Sequence, residues 1–382
     1  MNSKVQLDRS LPVCTLSCEV RLGYPVGMPG KPKLLLDLPT QDAGRRVAGN
    51  YLNAAARGLR RLDDPNDPKG LHAFRVSIRR LRSLLRAYRP WLGRVAGRKV
   101  RRRLRDLTRA TNVARDADVQ IIWLSAQREQ LARQDLPGFD WLLRRLRDRK
   151  KRAERSGRAQ LRKDFARIEQ SMGNRMDDDG TPEPRPFRNA FLEDLEPGLA
   201  ELRKRLVAIS AADDEEAVHR SRIQAKRVRY LVEPLRKELA EARALVRPLK
   251  DLQNLLGELH DTHVLEDELA AAIEEAATEK AKRLHRLALD GDETSLKRNQ
   301  RQDERLGLVT LAARARERRD ALYSELKRSW LANRGRGLQA DFESLRDALL
   351  PLASSFQATA INADSRPSPG ASRNRRLLQV AL

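Results

Sequence analysis

His72, Arg75, Arg79, Arg82 and Arg86 recur at intervals of three and four residues. At 100° per residue they fall within an arc of about 80° on one side of a helix. His219, Arg222, Lys226 and Arg229 repeat that spacing further along the chain. Such a row offers hydrogen-bond donors and positive charge, with no acceptor of opposite sign. Guanidinium groups give planar, bidentate donors suited to phosphate oxygens, and an imidazole adds one more. The chemistry this serves is capture of an extended anion. Nothing comparable points to group transfer: no nucleophile–base pair and no G-x-x-x-x-G-K phosphate loop can be found. The protein is therefore expected not to be an enzyme and to need no cofactor or metal.

The helix that must carry the first row is readable. Leu71, Phe74, Ile78, Leu81, Leu85, Tyr88 and Leu92 alternate +3 and +4. This apolar stripe is centred roughly 110° from the basic one. One face packs inward while its neighbour presents cations. From Lys69 to Arg105 there are 14 Lys/Arg and no Asp or Glu. Like charges at i,i+3 and i,i+4 repel, and a helix with no other task would interleave Glu. Residues 71–170 hold 29 Lys/Arg and 10 Asp/Glu, a net +19 of the chain's +24. The repulsion makes sense if a ligand supplies the negative charge.

Leu, Ala, Arg and Glu dominate the rest, with apolar spacing of three and four throughout. Val47, Tyr51, Ala55 and Leu62 mark one helix; Leu142, Leu146, Ala153 and Leu161 mark another. Phe191–Leu206, Ala217–Leu239, Leu249–Ala277 and Leu308–Leu331 mark four more. The fold class is all-α, about four helices per half, the count of a helix bundle.

The halves also resemble each other in detail. His72-x-x-Arg75-Val76-x-x-Arg79-Arg80-x-Arg82 matches His219-x-x-Arg222-Ile223-x-x-Lys226-Arg227-x-Arg229 at an offset of 147. Leu104-Arg105-Asp106-Leu107 matches Leu249-Lys250-Asp251-Leu252, and Arg115-Asp116-x-x-Val119 matches His260-Asp261-x-x-Val264, both at 145. Blocks recurring in the same order imply an internal duplication. Two pseudo-symmetric bundles, 41–172 and 186–350, would follow, joined by a Gly/Pro/Asp linker at 173–185.

One cation per helical turn, about 5.4 Å apart, under-neutralises a linear polyphosphate. Two rows converging on a channel suit it better. Nucleic acid or an anionic surface, bound by the same stripe, is the second choice. Single strands want aromatic stacking partners, and only 16 aromatic residues exist. Duplex reading wants a helix free to enter a groove, whereas these stripes are flanked by core.

The doubled His-x-x-Arg-(Val/Ile)-x-x-(Arg/Lys)-Arg-x-Arg block resembles the signature of CHAD domains, the conserved histidine α-helical domains. Arg115-Asp116-Ala117-Asp118-Val119 and Lys250-Asp251-Leu252-Gln253-x-x-Leu256-Gly257-x-x-x-Asp261 resemble the family's later motifs. The likeness covers roughly 41–350. It implies two four-helix bundles facing across a basic channel, binding of inorganic polyphosphate without catalysis, and association with polyphosphate granules and granule proteins. By the match, the binding residues are His72, Arg75, Arg79, Arg80, Arg82, His219, Arg222, Lys226, Arg227 and Arg229. Arg86, Arg105, Arg109, Arg115 and Lys250 are added from charge and register. Some members carry a triphosphate-tunnel domain with a Glu-x-Glu-x-Lys strand; residues 1–40 offer only Glu19-Val20-Arg21.

Two other features need weighing. His260, Asp261 and His263, with His219 upstream, invite a metal phosphohydrolase reading. The first-half counterpart is Arg115-Asp116, and Arg is not a metal ligand, so the Asp is expected to pair with an Arg or cap a turn. Glu258–Glu279 holds eight Asp/Glu and no Lys/Arg. It reads as a solvated outer face, with pairing to the basic stripe as the alternative.

Residues 1–40 carry five prolines and three glycines and read as a flexible tail with a short strand near Thr15–Leu22. Residues 351–382 read as a second tail. Cys14 and Cys18 cannot build a disulfide framework, so a reducing, cytoplasmic setting is expected. No apolar run approaches the ~18 residues of a membrane span.

Overall fold

Helix-forming residues at three- and four-residue apolar spacing produce an all-α chain. The computed structural model describes residues 34–350 apart from 65–66, 68, 94, 177–184 and 335–336. The expected strand near Thr15–Leu22, most of the 1–40 tail, the middle of the linker and the 351–382 tail lie outside the described residues. The first half holds α1 (Thr40–Arg60), α2 (Lys69–Ala87), the short α3 (Arg89–Leu92), α4 (Arg98–Ala110), α5 (Asn112–Gln127) and α6 (Leu136–Met176). The second holds α7 (Phe187–Val207), α8 (Glu215–Val232), α9 (Ala240–Leu289), α10 (Glu293–Arg301) and α11 (Glu304–Leu326). A π-helical turn, Lys327–Arg334, leads to α12 (337–350). No described helix is long and apolar enough to cross a membrane.

Helix limits differ from the sequence reading where packing overrides local signals. Pro248 suggests a helix starting at Leu249, yet α9 runs through it from Ala240. Pro248 removes one hydrogen bond there, but Leu245, Val246, Leu249 and Leu252 are buried on one side of it. Their burial outweighs the lost bond. α6 likewise continues into the first residues of the expected linker.

The packed chain also starts earlier than expected. Leu35 and Leu36, inside the expected tail, belong to the core. Thr40 N donates to Arg185 O at 3.0 Å, and Phe187 N donates to Leu38 O at 2.9 Å. These bonds join the entry to α1 with the entry to α7. Arg188 is buried beneath them and is ion-paired with Asp37.

The cores do not divide as the chain does. The larger one takes residues from α1, α2, α4 and the end of α6, and equally from α7, α8, the start of α9 and α12. Tyr88 meets Phe187 across the halves at 5.1 Å between ring centroids. The smaller core draws Leu124, Phe139, Leu142 and Leu146 from α5 and α6, and Leu265, Leu269, Leu308 and Leu311 from α9 and α11. The starts of α6 and α11 come so close that a Cβ on Gly307 would lie 2.0 Å from Asp135 O, and one on Gly138 2.2 Å from Glu304 O. Only glycine permits that approach.

The acidic stretch of α9 stays largely solvated, with Glu258, Asp267, Glu274, Glu275 and Glu279 exposed, but around the smaller core some of its acids also find partners. Glu268 is ion-paired with Arg145 and Arg149 of α6. Glu266 accepts from Arg319 at 3.1 Å, and Glu258 from Arg318 at 2.7 Å, both on α11. The partners are therefore mainly α6 and α11, while Asp261 of the same stretch pairs with Arg222 of the second basic row.

One half-buried acid weakens the larger core. Burial pushes the Asp194 carboxyl up to about 6. Its Oδ2 and the buried Tyr88 hydroxyl are both enclosed without a hydrogen-bond partner. A carboxyl whose folded pKa is raised contributes stability fully below the unfolded value of 3.8, and loses it as pH rises through about 6. Asp194→Asn should therefore raise the unfolding free energy at pH 7.5 by about 1 kcal/mol, after discounting for solvent access. Urea melts should show no gain at pH 4; an equal gain at both pH values would reject this account.

Candidate anion-binding site

α2 splits its surface between core and cations. Phe74, Ile78, Leu81 and Leu85 are buried, which fixes its rotation. α8 starts at Asp214, whose side chain accepts from Ala217 N at 3.4 Å and caps the turn before His219. The two signature helices pack against each other, and their basic faces meet.

The facing is visible in how each charge acts on the others. Burial pushes Lys226 of α8 down to about 6, and Arg222 and then Arg79 of α2 push it the same way. Burial also lowers Arg222, again with Arg79 opposing its charge and Asp261 and Asp116 favouring it. Arg75 is pushed down to about 10 by burial, then by Arg79. Arg82 is lowered by burial and next by Arg105 of α4, with Arg79, Arg109 and Arg86 adding to it. Arg227 is pushed down to about 10 by burial, then by Arg86 across the halves. His72 is lowered by burial and by Arg115, Arg79 and Arg75.

The buried members are anchored. Arg75 donates to Thr111 Oγ1 at 2.5 Å and to Asn112 Oδ1 at 3.0 Å, both at the break between α4 and α5. Arg82 donates to Thr108 Oγ1 at 3.2 Å. These are neutral acceptors; among the described carboxylates only Asp116 offsets the Arg75 charge. Asp116 and Asp261 stand at the centre, and Arg222 donates to Asp261 Oδ1 at 3.4 Å. The expectation that Asp261 pairs with an Arg matches this contact.

Not every expected residue joins the cluster. Arg80 turns to the other side of α2 and donates to Glu233 Oε2 at 2.8 Å beside Tyr51. Arg229 lies 4.7 Å over the Tyr230 ring and is buried, though its charge still opposes that of Lys226. Lys250 is exposed on α9, about three turns before Asp261. Arg105 and Arg109 are exposed on α4, where they face Arg82.

The sequence reading placed His260 in the duplicated block and gave it a role only as a metal candidate. It sits against His219, Nε2 to Nδ1 at 3.4 Å, with ring centroids 4.6 Å apart. Burial, then Arg222 and His219, push it down to about 3. His263 turns away, its Nε2 2.8 Å from Ala212 O. His260, Asp261 and His263 are thus drawn to three separate partners. Among the described residues no group of three or more His, Cys, Asp or Glu could hold a metal ion. Thr108, Thr111 and Asn112 escaped the sequence reading; their only signal was a polar interruption between Arg105 and Arg115.

The described residues thus form a helical bundle in which cations from both halves gather around Asp116 and Asp261. Residues 47–270 match the family model described as CHAD domain, and the chain belongs to that family. The crystal structure of the CHAD domain from the plant Ricinus communis is similar at 22% identity and a TM-score of 0.53, covering 80% of this chain and 97% of that one. PptA from Streptomyces chartreusis is similar at 17% identity and a TM-score of 0.56, covering 77% and 100%. At these identities the two establish the shared fold. No curated protein matches the chain significantly.

Proposed function

We propose that the protein binds inorganic polyphosphate, without catalysis, in a basic channel between the two halves, and through it associates with polyphosphate granules in the cytoplasm. The observation that carries this reading is the packing of α2 against α8, which sets Arg79 beside Arg222 and Lys226, basic side chains from two halves of the chain. Helices do not pack like charges together without a cost in the free protein. A chain of phosphoryl groups would remove that cost, with a negative charge for each turn of either row. The repeated sequence blocks support the same reading, since a duplication would supply one row from each copy. Family membership carries the same expectation.

A competition at physiological salt between long-chain polyphosphate and single- and double-stranded nucleic acids tests it. Polyphosphate should displace both. If about six cations are engaged, the logarithm of the affinity should fall against that of the salt concentration with a slope of about −4 to −5. A salt-insensitive affinity, or preference for nucleic acid, would count against the channel.

A further inference from the structure

Beyond the basic cluster, α5 and α9 diverge around a cavity of about 310 Å³. That is the lower end of the range for small-molecule sites, about 300–1,000 Å³. Val119, Ile122, Trp123 and Ala126 of α5 and Leu265 of α9 give it an apolar lining. Ile122 is 68% exposed, so apolar surface stays open at the mouth. Its polar rim carries Asp261 and Glu258. Each already accepts from a guanidinium, Asp261 from Arg222 and Glu258 from Arg318. Every ionised carboxylate has further lone pairs for N–H donors.

The cavity borders the cluster at Asp261. Asp261 lines the cavity and also pairs with Arg222. Arg115 stands four residues before Val119 on α5, about 6 Å along the helix axis. A ligand seated there would have an apolar, aromatic-flanked end against acceptor groups and an anionic end near Arg115 and Arg222. Inorganic polyphosphate has no use for the first end. An alkyl chain has no use for the acceptors. A purine ring uses both, since it stacks on an indole and its amino group donates, while a ribose covers the step to the cations.

We propose that the cavity between α5 and α9 is a base-binding subsite, so that the protein also takes purine nucleoside 5′-oligophosphates, with the base beside Trp123 and the phosphates among the cations around Arg222. The inference rests on the anion-binding reading above and deepens it. One cavity with one indole suits a single base, in keeping with a chain too poor in aromatics for strand binding.

Adenosine 5′-tetraphosphate and inorganic tetrapolyphosphate form a matched pair of probes. The nucleotide should bind wild-type protein about tenfold more tightly, the gain expected of a stacked base, and should quench tryptophan fluorescence where tetrapolyphosphate does not. Ala126→Phe fills the cavity from an exposed position, leaving the smaller core intact. It should erase the tenfold advantage and the quenching while leaving long-chain polyphosphate binding as in wild type. Trp123→Phe should lower the advantage and the quenching in step. Equal affinity for the two probes in wild type, or an advantage that survives Ala126→Phe, overturns the subsite. Loss of long-chain polyphosphate binding by the wild type would instead strike the channel reading, because the comparison of the two tetraphosphates stands without it.

Discussion

Replacing Arg79 and Lys226 together by glutamate should weaken long-chain polyphosphate binding more than 100-fold and leave the helical content unchanged. Each side chain would make a charge-assisted hydrogen bond worth about 1.5–3 kcal/mol. The two stand on different helices and act on each other's charge, so one anion could bridge them. Reversal replaces that attraction by repulsion. The neutral pair Arg79→Gln with Lys226→Met separates the two effects and should cost about tenfold less. Circular dichroism with a binding titration on both variants decides the matter. Wild-type affinity in the Glu/Glu protein would place the site elsewhere.

Binding should also take up protons, and the source should be Lys226. In the free protein its amine is pushed down to about 6 by burial first and by Arg222 and Arg79 next. The sign is fixed by that depression. The amine contributes stability above its unfolded value near 10.5, and this is lost as pH falls through about 6. Near pH 7.5 the free protein therefore carries the amine neutral. Phosphoryl oxygens beside Nζ favour the ammonium, so the complex holds one proton more. Affinity should fall up to tenfold per pH unit between about 6 and 9. His72 and His219, both lowered below 6.5 by burial and by neighbouring cations, should add uptake below that window. Calorimetry at pH 7.5 in two buffers of different ionisation heat reads the proton directly. Lys226→Met should abolish the buffer dependence. Identical heats in both buffers for wild type would refute the coupling.

Much of the site was legible because its signals are local. The apolar stripe of α2 and the doubled His-x-x-Arg spacing specify which residues share a face, and a +3/+4 register needs no tertiary information. Arg80 shows where this stops. It neighbours Arg79 in sequence but stands 100° away on the helix, and its fate depends on Glu233, 153 residues later. Charge alone could not separate the two. The anchors Thr108, Thr111 and Asn112 are legible only once α4 and α5 are known to break beside Arg75. The ion pairs of the acidic run of α9 were not legible because its partners on α6 and α11 are distant in sequence. Leu35 and Leu36 looked like tail because the prolines around them signal disorder, and the buried Arg188 that meets Asp37 carries no local sign of that role.

The smaller core has a consequence for biosynthesis. Its apolar residues on α5 and α6 are made long before α9 and α11 supply the other side. At about 5–20 residues per second, the wait between Leu146 and Leu311 lasts roughly ten to thirty seconds. For that time the nascent first half displays an oily flank beside its most cationic stretch. A chaperone, or a polyanion already at hand near the ribosome, would meet it there first.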